Sequence, residues 1–319
     1  MNSEKSDPLL PGVSRWVLLV PAPAVMLGVF VMAQSGIKPR VWGQNLAVWL
    51  VATTLCAAAT RIVPAAERNL RFGLVLMLAV VIALALSLGC PGLDGVHRWL
   101  SFGTVRLHAA SILLPAFLIG LGDIQRERGS WTVRVLILIT AGLLAIQPDA
   151  SQASAFAIAV GAHWFFRKPA SGAMSLAEPA TMLGLVIFSW TRPDPLGSVP
   201  HVEGIFRLAA SIGSAWAFVA VGFLILLPSP FFAASLGWRG SSNGRTALAL
   251  GMYFAATLLA PTVGHFPVPV MGYGASPILG FFVGLGWLSF QSNPVCPRFP
   301  FPVLRLPKSR PRGTTRAAN

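Results

Sequence analysis

Charge is what this chain lacks. Of its 319 residues 11% are Asp, Glu, Lys or Arg while 55% are hydrophobic, and the mean hydropathy is +0.69. A soluble domain carries about a quarter of its residues as charges, so a water-facing surface on all sides is excluded. Acids are the scarcest: ten Asp and Glu stand against 24 Lys and Arg. The three cysteines, Cys56, Cys90 and Cys296, are odd in number and have no metal-ligand spacing. A phosphate-binding glycine loop is also missing, which argues against an ATP-driven pump. The apolar start is not a cleaved signal, because Ala22 and Ala24 lie inside the apolar run instead of after it.

Apolar residues are abundant, and they come in runs without a helical or strand period. The first five are Trp16–Ala33, Leu46–Thr60, Phe72–Leu88, Ala109–Leu121 and Val133–Ile146. Ala153–Phe166, Ala180–Trp190, Leu208–Leu227, Thr246–Ala260 and Ile278–Phe290 follow. A helix crosses a hydrocarbon core with roughly 20 residues, and shorter runs cross where neighbours shield their ends or the bilayer thins. The expectation is an all-α integral membrane protein of about ten spans. Residues 1–15 form a short N-terminus, 16–290 one polytopic membrane domain, and 291–319 a basic, disordered tail. With the N-terminus inside, the outer loops hold Lys38, Arg40, Arg98, Arg106, Arg192 and Arg207, and the other basic residues all fall inside. That bias obeys the positive-inside rule and places both termini in the cytoplasm. The net charge of +14 then answers to anionic lipid headgroups, and no nucleic-acid partner is expected.

Four of the ten acids, Asp94, Asp149, Asp194 and Glu203, lie in polar gaps on the outer side. Carboxylates at a membrane edge are costly and usually functional. In the gap Cys90–His108, Arg98 beside Trp99 reads either as an interfacial anchor or as an anion clamp with a flat face for a sugar ring. In Gln147-Pro148-Asp149, the Asp is either the N-cap of the next helix or a carboxylate in a wet cavity. Thr191–Phe206 holds three prolines that preclude a regular helix. It sets His201 near Glu203, whose carboxylate is either an ordinary loop charge or a general base. Pro261–Pro277 is rich in Pro and Gly and nearly uncharged. Irregular backbone at membrane depth survives where it lines a cavity, so this segment, with Tyr273 and Ser276, is expected to wall a site.

Taken in order, these gaps resemble the SEDS family of bacterial membrane proteins, the RodA, FtsW and SpoVE type. Gly95-Val96-His97-Arg98-Trp99-Leu100 is similar to that family's Gly-x-Arg-Arg-Trp-Ile, and Gln147-Pro148-Asp149 matches its Gln-Pro-Asp. Pro267-Val268-Pro269 with Tyr273-Gly274-Ala275-Ser276 follows its Pro-Leu-Pro-Phe-x-Ser-Tyr-Gly-Gly-Ser. Val199 to Phe206 resembles its Leu-Pro-Glu-x-His-Thr-Asp-Phe-Ile-Phe. The chain departs from the family where the fourth span opens. His108-Ala109-Ala110-Ser111 stands in place of Gln-Pro-Ser-Glu, and no acid or lysine follows inside the membrane. After Asp149, Ser151-Gln152 replaces Gly-Thr.

The resemblance implies a glycosyltransferase of peptidoglycan assembly in the bacterial inner membrane, working in cell shape, elongation or division beside a penicillin-binding transpeptidase. Its substrate would be lipid II, a sugar linked to undecaprenyl pyrophosphate. Glu203 takes the place of the family's proposed base. Arg98, Trp99, His201, Asp149, Gln147, Tyr273 and Ser276 become substrate contacts. No metal-ligand cluster shows in the sequence, although a divalent cation, Mg2+ or Mn2+, would suit the pyrophosphate. Two alternatives stay open: a non-catalytic relative that binds a lipid-linked sugar or scaffolds a transpeptidase, and a lipid flippase or transporter.

Overall fold

Long apolar stretches with few breakers leave a chain in lipid one option, because every backbone N–H and C=O must be satisfied within the segment. The computed structural model describes residues 15–62, 70–124, 131–165 and 174–292, and they are overwhelmingly helical. Residues 1–14 and 293–319 lie outside the described residues, as do Arg68, Arg126 and Lys168, which the sequence led us to expect on the inner side.

The helices follow the apolar runs. They are α1 (Ala22–Gln34), α2 (Pro39–Ile62), α3 (Leu70–Leu88), α4 (Ala109–Ile124), α5 (Trp131–Ile146), α6 (Ala150–Phe165) and α7 (Met174–Thr191). Then come α8 (Ile205–Ile212), α9 (Ser214–Leu226), α10 (Ser229–Gly237), α11 (Ser242–Leu259) and α12 (Ala275–Ser292). Four stretches are long and apolar enough to span on their own: Trp16–Gln34, Pro39–Ile62, Leu70–Leu88 and Ser214–Gly237. Ala109–Ile124, Trp131–Ile146 and Ala275–Gln291 are shorter apolar helices. The molecule is an all-α, multi-pass membrane protein.

Two details differ from the sequence expectation. The run Leu208–Leu227 is not one helix: α8 stops at Gly213, which is extended, and α9 starts anew. The gap before α4 is also ordered, as an antiparallel hairpin of β1 (Trp99–Phe102) and β2 (Val105–His108). Its two-residue turn begins with Gly103 at φ 61°, the left-handed position where a type II′ hairpin requires glycine. The register pairs Trp99 with His108, and the Ala109 N–H donates to the Arg98 carbonyl at 3.1 Å. One short hairpin thereby brings the two ends of the gap together at the mouth of α4.

Helices in lipid gain no hydrophobic drive from meeting each other, so close packing over small residues takes its place. α4 is the central element, packed on α3, α6, α11 and α12. Gly73 of α3 and Gly120 of α4 face each other, and a Cβ on either would come within 2.6–2.8 Å of the other's carbonyl oxygen. On the other flank Gly280 of α12 lies against the Ser111 carbonyl so closely that any Cβ would collide with it. Leu114, Phe117, Leu118 and Leu121 fill the interior around α4, with Phe117 edge-on to Phe156 of α6 at 5.2 Å. The outward apolar faces, such as Leu50, Val51 and Leu55 of α2 or Val75, Ile82 and Leu86 of α3, are exposed, as hydrocarbon contact requires.

Candidate functional site

The polar gaps converge at one end of the bundle, where α3, α5, α7 and α11 finish and α2, α4, α6, α8 and α12 begin. His108, the last residue of β2, lies at the centre. Its Nε2 is 3.0 Å from Oδ2 of Asp149. Its backbone N–H donates to Oγ of Ser276 at 2.8 Å, and its ring meets that of Trp99 edge-on at 5.9 Å. Nδ1 faces Ser111, accepting from the Ser111 N–H at 3.3 Å and lying 2.9 Å from its Oγ. With Nδ1 accepting, a neutral ring carries its proton on Nε2, the nitrogen 3.0 Å from the carboxylate.

Asp149 serves two partners at once. Oδ1 accepts the Gln152 N–H at 3.3 Å, the N-cap bond that starts α6, and Oδ2 faces His108. Its side chain is only 4% exposed. Burial pushes the carboxyl pKa up, but the charges of His108 and Arg98, the contact with His108 and the Gln152 N–H together outweigh it, and the value falls below the ordinary one. Behind this pair a hydrogen-bond chain runs into the bundle. The Tyr253 hydroxyl of α11 donates to Gln152 Oε1, and Gln152 Nε2 donates to Ser111 Oγ at 3.3 Å. The Ser111 hydroxyl in turn lies 2.9 Å from His108 Nδ1, so the chain reaches the imidazole. Hydrogen-bond chains of this kind polarise cooperatively.

Arg98 flanks this centre. Its guanidinium lies 5.0 Å from the Trp99 ring centroid and donates to Asp194 at 3.0 Å, tying the α7–α8 linker to the hairpin. Asp194 is therefore a partner of Arg98. Asp94, by contrast, sits exposed in a tight turn with φ 47°.

His201, Tyr273 and Glu203 form a second group. The Tyr273 N–H donates to the His201 carbonyl at 2.8 Å, and the two rings lie 5.7 Å apart. The Val268 N–H donates to the Val202 carbonyl at 3.0 Å. Two residues of α2 grip the same loop. Asn45 donates to the Gly272 carbonyl at 2.9 Å and accepts the Gly274 N–H at 3.0 Å, and Tyr273 donates to Gln44 at 2.9 Å. The Pro- and Gly-rich segment is thus held between α2 and the α7–α8 linker, and it runs directly from Tyr273 to Ser276 at the His108 centre. Glu203 is half-buried, and its Oε2 accepts the Val199 N–H inside its own turn.

The expected site residues therefore fall into three places. Arg98, Trp99, Asp149 and Ser276 gather round His108, while His201, Tyr273 and Glu203 sit in the adjoining loops. Gln147 points elsewhere: buried, it donates to the Leu84 carbonyl and to Ser87 Oγ of α3, both at 2.9 Å, and so pins the end of α5 to α3. The sequence reading did not count His108, Ser111, Gln152, Tyr253, Gln44 or Asn45 among the site residues. A signal for the first three was present, because they occupy the positions where the family's own polar residues are replaced. Among the described residues, no three of His, Cys, Asp or Glu gather closely enough to hold a metal ion.

No protein-family model matches the chain, and no curated protein sequence does. Solved structures do match. The rod shape determining protein RodA of Thermus thermophilus superposes with a TM-score of 0.69 at 20% identity, over 87% of this chain and 96% of that one. An Asp-to-Ala variant of the same RodA gives 0.70 at 18% identity over the same shares. A structure described as the structural coordination of polymerization and crosslinking by a peptidoglycan synthase complex gives 0.67 at 20% identity, over 86% of this chain and 96% of that one.

Proposed function

We propose that this chain, which has the SEDS-type fold of the RodA structures, is a peptidoglycan glycosyltransferase that polymerises lipid II at the outer face of the bacterial cytoplasmic membrane. Both termini would then be cytoplasmic, and the site end of the bundle would face outward. The observation that carries the reading is the gathering of Arg98, Trp99, Asp149 and Ser276, from gaps far apart in sequence, round one residue, His108.

The chemistry joins an acceptor sugar hydroxyl to the anomeric carbon of a donor as undecaprenyl pyrophosphate leaves. Charge develops on the pyrophosphate, and a fixed cation stabilises it most where water is scarce. Arg98 supplies that cation, and Trp99 offers its face to a sugar ring. The side chain of Arg98 is only 11% exposed. An incoming pyrophosphate would exchange with Asp194 for the guanidinium. A divalent cation, Mg2+ or Mn2+, would arrive with the pyrophosphate. The family resemblance would give Glu203 the role of the base that takes the hydroxyl proton.

A penicillin-binding transpeptidase is the expected partner, bound through the lipid-facing helices, in elongation or division. Purified chain given labelled lipid II, with and without such a partner, tests the reading. Glycan strands are the expected product, and Arg98→Gln should reduce their yield at least about tenfold by removing one charge-assisted contact. A native chain that binds lipid II under both conditions and never extends it would refute polymerisation and leave a scaffold.

A further inference from the structure

The residue on which the motifs converge is not a carboxylate. Trp99, Asp149 and Ser276 all contact His108, and Arg98 holds the neighbouring Ala109 N–H. Glu203 has its Oε2 committed to the Val199 N–H of its own turn. The imidazole is also the more reachable half of its pair, with 18% of its side chain exposed against 4% for Asp149. One nitrogen faces a carboxylate and the other faces a hydroxyl at 2.9 Å. That is the arrangement by which a carboxylate-supported imidazole draws a proton from a hydroxyl, recognised by geometry and not by order in the chain.

We propose that the acceptor's proton travels through Ser111 to His108, supported by Asp149, and not to Glu203. This rests on the glycosyl transfer proposed above. The acceptor oxygen bonds to the anomeric carbon while the bond from that carbon to the pyrophosphate oxygen breaks, its electron pair leaving with the pyrophosphate. The acceptor's proton passes to Ser111 Oγ as the Ser111 hydroxyl proton passes to His108 Nδ1. The weak 3.3 Å bond from the Ser111 N–H to Nδ1 gives way, and the imidazolium so formed lies against the ionised Asp149. Bulk water then takes the proton from His108. The Tyr253–Gln152 branch holds Ser111 Oγ in line, so those two residues are positioning residues.

The test is lipid II polymerisation by the full chain, comparing native protein with His108→Gln, Ser111→Ala, Ser111→Thr and Glu203→Gln. Lipid II binding and thermal unfolding are measured on each. His108→Gln and Ser111→Ala should lose about 100-fold or more in kcat, the scale of general acid–base help. KM should stay within about threefold, as for a group acting mainly in the transition state. Ser111→Thr keeps a hydroxyl and should restore most of the turnover, which a purely structural role for Ser111 would not explain. Glu203→Gln should keep most of it. Histidine 15N resonances give a readout without turnover: one ring, lost in His108→Gln, should show the Nε2–H tautomer in its neutral form and should respond to Asp149→Asn.

The relay is overturned if His108→Gln, folded and binding, turns over within about threefold of native, or if Glu203→Gln is the variant that stops. A native chain with no turnover overturns the glycosyltransferase reading and the relay with it. An active native chain with an indifferent His108 overturns the relay alone.

Discussion

Replacing Asp149 separates two jobs that one side chain performs. Asp149→Ala removes both the N-cap of α6 and the partner of His108; Asp149→Asn keeps an oxygen for the Gln152 N–H and removes the charge. A lost N-cap costs about 1 kcal/mol. Leaving the partly buried His108 without its charged partner costs about 1.5–3 kcal/mol, the range for bonds to charged groups. Asp149→Ala should therefore destabilise by about 2.5–4 kcal/mol and Asp149→Asn by about 1.5–3 kcal/mol, with a gap of about 1 kcal/mol between them that is the cap itself. A double-mutant cycle with His108→Gln isolates the pair, because the two side chains are in direct contact. The assay is reversible unfolding in mixed micelles followed by circular dichroism. The reasoning fails if Asp149→Ala and Asp149→Asn unfold alike, or if the cycle shows coupling below about 0.5 kcal/mol, the usual scatter for independent sites.

The stability difference between native protein and Asp149→Asn should depend on pH. The folded carboxyl pKa lies below its ordinary value, so its contribution is complete above the unfolded value of about 3.9 and is lost as pH falls towards the folded one; a difference that instead grew on acidification would contradict it. Asn45→Ala strands the Gly272 carbonyl and the Gly274 N–H and should cost about 2–4 kcal/mol at about 1–2 kcal/mol per orphaned group, with faster proteolysis or hydrogen exchange in residues 268–274. Gly280→Val drives a branched side chain into the Ser111 carbonyl and should lower the melting temperature by more than a substitution at Gly142, where a Cβ meets nothing within 4 Å.

The fold was legible because lipid leaves so few options: the described runs of apolar residues became helices, the eighth broken at Gly213 and the first opening with a separate short turn before Ala22. The Asp149 N-cap and the irregular backbone between α11 and α12 were legible for the same reason, being local consequences of composition and of Pro and Asp chemistry. What could not be read was register. Whether Trp99 would stand opposite His108 depends on a four-residue strand and a turn at Gly103, a signal far weaker than any span. The meeting of His108 with Asp149 depends on how α4 and α6 pack, which no short window of sequence contains. Asn45 gives no hint in the sequence either. It is a polar residue in an apolar helix whose partners lie more than two hundred positions away.

The shared duty of Asp149 has a mechanical side. The oxygen that starts α6 and the oxygen that aligns the imidazole belong to one rigid carboxylate, so the first turn of α6 acts as a gauge for the site. A shift of α6 along its axis, by as little as part of a turn, would carry Oδ2 away from Nε2 while the hairpin held His108 in place. Forces on the membrane-embedded length of the helix, from lipid thickness or from a protein pressed against it, would then register as alignment or misalignment at its tip.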